Sequence, residues 1–264
     1  MDTWFCFIVK KESLELSILE ELSSCAFQNG SFLEDLETGE RSVYGTADEK
    51  LFPKTWSHII SYTKVSSEIN WEKEWEAFSP YVQNGLATIP LSDFSPSKEQ
   101  IFLRPGPGFG DLSHLTTSLS LNLLSSHALN QTIIDLGCGS GILGLAALKW
   151  GAQLVYSLDI DPEALDHTRA NAALNSLERK ILTSLSFPKN PPNNPTLLVM
   201  NMTFEDQKKA ISSLPKNLNS IDYWITSGIL KSQQKAYLSW AKKQGLVLNT
   251  LLSKEGWIGC LFKT

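Results

Sequence analysis

The chain has 264 residues, 42% of them hydrophobic and 19% charged, a balance that supports packed cores and excludes wholesale disorder. The formal net charge of -5 gives no sign of a basic nucleic-acid surface, so direct nucleic-acid binding is not expected, although an acidic enzyme can attract a basic protein. The four cysteines, Cys6, Cys25, Cys138 and Cys260, show no C-x-x-C spacing for zinc or dithiol chemistry, and neither a signal peptide nor a membrane-spanning run is visible, so a cytoplasmic location is expected; the sequence leaves the oligomeric state open, with a monomer favoured.

Residues 3–9 read as a buried strand, and Ser13 is a candidate cap for a helix carrying Leu14, Ile18, Leu19 and Leu22 at helical spacing. Phe32-Leu33 and Val43-Tyr44 suggest short strands around a turn at Thr38-Gly39, and a second helix is expected over roughly 48–60, interrupted or started by Pro53. These elements make a small α+β domain over 1–63. Residues 64–103 read as a linker with an aromatic helix, in which Trp71, Trp75 and Phe78 share a face; they either dock that helix on a neighbour or wall a substrate site.

From residue 104 onward the pattern is α/β. A helix over 116–129 precedes alternating strands and helices: strand 132–136, helix 142–150 closed by Gly151, strand 154–158, and helix 162–175 with Asp161 as N-cap and Pro162 at its first position. Strand 197–200, helix 204–213, strand 221–226 and helix 231–243 follow, then strands 246–252 and 257–262 around Lys254-Glu255-Gly256. Such alternation predicts a mostly parallel sheet covered on both faces, here seven-stranded and closed by an antiparallel hairpin.

The strongest local signal is Ile133-Ile134-Asp135-Leu136-Gly137-Cys138-Gly139-Ser140-Gly141, an apolar strand running through a glycine turn into a helix. Glycines permit tight backbone bends and close ligand approach, and the helix start offers free N–H groups. A dinucleotide loop wants G-x-G-x-x-G, but the sixth position counted from Gly137 is Ile142. Twenty-two residues beyond Gly137, the second strand ends at Asp159, whose carboxylate can accept hydrogen bonds from ribose hydroxyls. Asp161 is better placed to cap the next helix.

An acidic residue two places before a G-x-G-x-G loop resembles the opening of the Class I methyltransferases. By that resemblance Asp135, Gly137, Gly139 and Gly141 form the S-adenosylmethionine loop. Asp135 anchors either the loop or, through water, the methionine ammonium. Arg104-Pro-Gly-Pro-Gly-Phe-Gly-Asp-Leu-Ser-His-Leu-Thr-Thr117 is similar to the P-G-x-A-F-G-T-G-x-H-x-T-T segment of the bacterial methyltransferases that modify ribosomal protein eleven of the large subunit. Pro105, Gly106, Phe109, Gly110, His114, Thr116 and Thr117 match. Ile225–Leu230 and Glu255-Gly256-Trp257 resemble that family's C-terminal half.

The resemblance implies a Rossmann-like, seven-stranded Class I methyltransferase domain over 104–264 behind a substrate-recognition domain. It implies cofactor contacts at Thr117, Gly137, Asp159 and Asn201, methyl transfer to lysine or α-amino nitrogens of a basic ribosomal protein, and Asn201 as the residue orienting the acceptor. Asp111-Leu112, Leu115 and Met202-Thr203 depart from the family pattern. The alternatives are another methyl acceptor (a small molecule or RNA) and a cofactor-binding relative with little turnover. His114 reads as structural rather than as a base, and residues 104–114 either cover the cofactor or merely link domains.

Overall fold

The computed structural model describes residues 3–34, 41–65, 73, 75, 81–106, 108–110, 112, 114–189, 195–214 and 221–264. Two compact units divide the chain, Met1–Asn70 and Trp71–Thr264. Among the described residues no helix is long and apolar enough to cross a membrane.

The first unit is an antiparallel sheet with one described helix. Strand β1 (Thr3–Val9) pairs with β3 (Arg41–Ala47) and β4 (Ile59–Val65), β2 (Gln28–Glu34) flanks β3, and the order is β2-β3-β1-β4. Phe5, Phe7 and Val9 of β1 pack with Val43, Ile59 and with Ile18 and Leu22 of helix α1 (Glu15–Ser23). Two expectations fail here. Leu14, not Ser13, stands at the α1 N-cap, and it makes no side-chain cap; the Ser13 hydroxyl lies 2.9 Å from His58 Nδ1 instead. The helix expected over 48–60 reduces to a single 3₁₀ turn, Glu49–Leu51, capped by Asp48. Beyond it, Ile-Ile-Ser-Tyr-Thr-Lys-Val favours the extended chain that β1 completes by pairing. The turn at Thr38-Gly39 lies outside the described residues.

The second unit begins with structure where a linker was expected. Strands β5 (Val82–Gln83), β6 (Leu86–Pro90) and β7 (Gln100–Leu103) form a three-stranded antiparallel sheet. Its Ala87, Ile89, Ile101 and Leu103 join the core of the large sheet, as does Trp75, which is therefore a packing residue; Trp71 and Phe78 lie outside the described residues.

Helix α2 (Leu115–Leu124) leads into the seven-stranded sheet, of order β10-β9-β8-β11-β12-β14-β13. Its parallel part is β8 (Thr132–Leu136), β9 (Leu154–Leu158), β10 (Ile181–Ser184), β11 (Leu197–Asn201) and β12 (Tyr223–Leu230). Strands β13 (Val247–Lys254) and β14 (Trp257–Lys263) close it as the expected antiparallel hairpin, whose turn holds Glu255 and Gly256 at positive φ. Helices α3 (Ile142–Lys149), α4 (Pro162–Leu174), α5 (Phe204–Ser212) and α6 (Gln234–Lys243) make the connections. Strand β8 is buried at every position, as a central parallel strand must be. The chain leaves β8 toward β9 and β10, then returns to its other side at β11. Ligands bind beyond the carboxyl ends of strands at such a reversal.

Candidate functional site

At that reversal Gly137, Gly139 and Gly141 hold φ of 77°, 54° and 82°, a left-handed backbone open to glycine at little cost. Each is also crowded. A Cβ would stand 2.3 Å from the Met202 methyl at Gly137, 2.5 Å from the Phe109 carbonyl oxygen at Gly139, and 2.9 Å from Thr168 Cγ2 at Gly141. The loop is therefore gripped from three sides, by the segment after β11, by residues 108–110 and by α4.

The grip from residues 108–110 answers what the Gly-Pro-rich segment does. The Ser140 N–H donates to Phe109 O at 2.9 Å, and the Ser140 hydroxyl donates to Gly110 O at 3.2 Å. A Cβ at Gly108 would lie 2.4 Å from the Gly139 carbonyl carbon. Residues 108–110 thus lie backbone to backbone along the glycine loop. Leu112, standing where the similar family pattern has glycine, is buried with a φ of 69°. A non-glycine residue costs about 1–2 kcal/mol in that conformation.

The Asp159 carboxylate is half-buried at the end of β9. One oxygen accepts from the Gly139 N–H at 3.0 Å and the other from the Asp161 N–H at 3.1 Å. Asp161 itself caps α4 by accepting from the Glu163 N–H at 2.9 Å. Asp159 keeps unused lone pairs while fixing the middle of the loop.

Asp135 works beneath the loop. Its Oδ2 accepts the Gly144 N–H at 3.1 Å in the first turn of α3; among the described residues its buried Oδ1 has no partner, nor has the hydroxyl of Ser157, its register neighbour on β9. Burial pushes the carboxyl up to about 7, with the charge of Asp159 adding and the Gly144 N–H opposing. Between its unfolded value near 4 and about 7, the folded chain holds the extra proton, so this group's contribution to stability falls as pH rises through that window. Asp135→Asn keeps an acceptor for Gly144 and cannot ionise. It is expected to match the wild-type melting temperature near pH 4 and to exceed it at pH 8 by an equivalent on the order of 2–4 kcal/mol. Melting curves across pH check this; parallel curves for the two proteins would contradict it.

Across the sheet, Asn201 ends β11. Its Nδ2 donates to the hydroxyl of buried Thr117 at 3.3 Å, while its Oδ1 is buried with no partner among the described residues. Thr117 lies in the first turn of α2, which His114 caps by accepting from the Thr116 N–H. His114 stands edge-on to Trp257, with ring centroids 4.8 Å apart, and the Phe109 ring lies tilted 5.7 Å from it. Thr117 and Asn201, 84 residues apart, are thus hydrogen-bonded to each other, and the methyl of Met202, next to Asn201, lies against Gly137.

Several residues of the site carry no obvious mark in the sequence. Gln207 of α5 is fully buried; its amide donates to Met202 O and Ser227 O, and its Oε1 accepts from the Tyr237 hydroxyl at 2.7 Å. It ties Met202 to Ser227, the residue before Gly228, which lies in a bulge of β12 and where a Cβ would meet Met202 O at 2.4 Å. Thr168 donates to Gly139 O at 2.9 Å, and Asn171 donates to Ser140 O at 2.9 Å. The signal for α4 is a polar line, His167, Asn171 and Asn175, at i, i+4 and i+8.

Counted within the large sheet the strand order is 3-2-1-4-5-7-6, with a glycine loop after the first strand, an acid after the second and an asparagine after the fourth. These features define a Rossmann-like domain of the Class I methyltransferase type. The family model described as ribosomal protein L11 methyltransferase (PrmA) matches residues 31–264, and the chain belongs to that family. A ribosomal protein L11 methyltransferase of Legionella pneumophila is 40% identical over 192 residues, covering 71% of this chain and 66% of that protein. One from Oceanobacillus iheyensis is 27% identical over 248 residues, covering 93% and 74%. The crystal structure of ribosomal protein L11 methylase from Lactobacillus delbrueckii subsp. bulgaricus aligns with a TM-score of 0.58 at 29% identity, over 67% of this chain and 97% of that one. The chain spans about two thirds of the length of the Legionella relative.

Proposed function

We propose that the chain is an S-adenosylmethionine-dependent N-methyltransferase acting on lysine or α-amino nitrogens of ribosomal protein L11, the substrate named for its relatives. The observation that carries this reading is the buried Oδ1 of Asn201, which has no partner among the described residues, together with a crowded glycine loop and an Asp159 carboxylate with spare lone pairs. A buried acceptor left unpaired costs stability, and a ligand that supplies the missing donor recovers it.

The cofactor supplies a methyl group made electrophilic by its sulfonium. The protein's task is placement. Asp159 would accept from the ribose hydroxyls, and the positive end of the α3 dipole would favour the methionine carboxylate. Asp135, sealed beneath α3, acts on the cofactor by holding the start of that helix. Thr117 occupies the Asn201 amide nitrogen and so presents Oδ1 to an N–H of the incoming amine. That contact aims the nitrogen lone pair at the methyl carbon, and alignment of this kind supplies much of the rate. A lysine has an ordinary pKa near ~10.4, so it must reach the transfer point neutral. The unit Met1–Asn70 has its own core and no glycine loop, which suits recruitment of a basic protein in the cytoplasm; membrane and nucleic acid are not partners in this reading.

Calorimetry tests the reading. S-adenosylmethionine is expected to bind and NAD not to. Asp159→Ala is expected to weaken S-adenosylmethionine by about 1.5–3 kcal/mol, the scale of hydrogen bonds to a charged group. Equal affinity for NAD, or an Asp159→Ala protein with full affinity and an intact fold, would contradict it.

A further inference from the structure

The backbone at Phe102, Arg104 and Gly108 is stitched to one face of α4 by three side chains. Asn175 takes the Phe102 N–H on Oδ1 at 2.9 Å and donates Nδ2 to Phe102 O at 2.6 Å. Asn171 takes the Arg104 N–H at 2.9 Å and passes its own amide to Ser140 O in the glycine loop. His167 makes the last two stitches, with Nε2 2.7 Å from Arg104 O and Nδ1 accepting the Gly108 N–H at 3.1 Å. A carbonyl demands a proton on Nε2 and an amide N–H demands a lone pair on Nδ1, so only the neutral Nε2–H tautomer satisfies both.

His167 is buried, edge-on to Trp75 at 5.9 Å, and that burial holds its pKa below the ordinary histidine value. A Cβ at Gly106 would stand 2.7 Å from its Nε2, so the backbone passes directly over the ring. One residue beyond the Gly108 stitch, Phe109 O accepts the Ser140 N–H. The imidazole and the glycine loop therefore hold the same short stretch of backbone from two sides.

We propose that His167 is a positioning residue of the transfer site, fixing the backbone at Arg104 and Gly108 against the glycine loop and thereby setting the affinity for the cofactor. The cofactor part of this inference rests on the function proposed above. The contact with Arg104 and Gly108 does not, because it is complete in the protein alone.

The test combines calorimetry with S-adenosylmethionine and amide hydrogen exchange on the full chain. H167A is expected to weaken cofactor binding about tenfold, the scale of one or two hydrogen bonds, and to speed exchange at Gly108 and Ser140. Two variants divide the ring's roles: H167N places an acceptor near the Nδ1 position and H167Q a donor near Nε2. Partial recovery of affinity in either, at a melting temperature no higher than that of H167A, supports positioning over simple stabilisation. H167A with wild-type affinity per folded molecule overturns the effect on the cofactor, and unchanged exchange at Gly108 and Ser140 overturns the positioning itself. A wild-type chain that binds no S-adenosylmethionine, with exchange responding as described, overturns the proposed function and the cofactor part together while upholding the backbone contact.

Discussion

Asn201→Ala is expected to slow methyl transfer by roughly 10²-fold, the scale of removing one preorganised hydrogen bond in a transition state, while S-adenosylmethionine affinity changes little. The two ends of the amide differ. Nδ2 donates to Thr117, and Oδ1 is buried with no partner among the described residues. An amine that donates to that oxygen is oriented most usefully when its lone pair is in line, so the contact counts chiefly in the transition state. Asn201→Asp separates this from a packing role. A carboxylate there attracts the protonated, unreactive amine and also the sulfonium, so cofactor binding is expected to hold or tighten while methylation slows. If Asn201 only stabilised the end of β11, both variants would melt lower and transfer methyl groups at wild-type rate per folded molecule. Melting temperature and single-turnover rate on the same two proteins decide the matter.

Gly139→Ala is expected to weaken cofactor binding by about 10²-fold or more and to cost about 1–3 kcal/mol of stability. Two penalties coincide at this position. Its φ of 54° is left-handed, and its Cβ would fall 2.5 Å from Phe109 O and 3.0 Å from Phe109 N. The neighbour is backbone, itself held by Ser140, so it cannot swing away as a flexible side chain would. Any shift also displaces the N–H that Asp159 accepts. Gly245→Ala is the control: its φ is 82°, yet nothing lies within 4 Å of the added carbon. It should show the cost of conformation alone, about 1–2 kcal/mol, with cofactor affinity intact. Equal affinity losses in the two variants would mean that Gly139 acts through stability and not through the loop's contacts.

What could be read in the sequence was governed by how local the physics is. The glycine loop needs three glycines at fixed places, and Asp161-Pro162 opens a helix by its own chemistry, so β8, α3, β9 and α4 stand out in the residues. The closing hairpin is legible in the same way, because Glu255-Gly256 makes a turn between two apolar runs. Elements defined by a distant partner are hidden. Strand β4 is specified by pairing with β1 some fifty residues earlier, and β10 is four residues at a sheet edge. The sheet of β5–β7 sits in a Pro- and Ser-rich stretch that reads as a connector until Ile89, Ile101 and Leu103 are seen entering the core.

The site divides along the same line. Asp159 and Asn201 are legible from their positions at strand ends, and Thr117 only through the resemblance of residues 104–117. Gln207 and the line His167, Asn171 and Asn175 resemble an ordinary solvent-facing polar stripe. They are recognisable only when the backbone of residues 102–110 is laid beside α4 and its N–H and C=O groups are accounted for. Asp135 was legible as a loop residue, but its direction was not. It turns under α3 to Gly144, where the absence of a side chain leaves room for the carboxylate.

The most direct test of the central claim is mass spectrometry of purified ribosomal protein L11 after incubation with this chain and isotopically labelled S-adenosylmethionine. The account predicts labelled methyl groups on lysine or α-amino nitrogens, with Asn201→Ala slowing their appearance. Unlabelled L11 in the presence of a wild-type chain shown to bind the cofactor would contradict it.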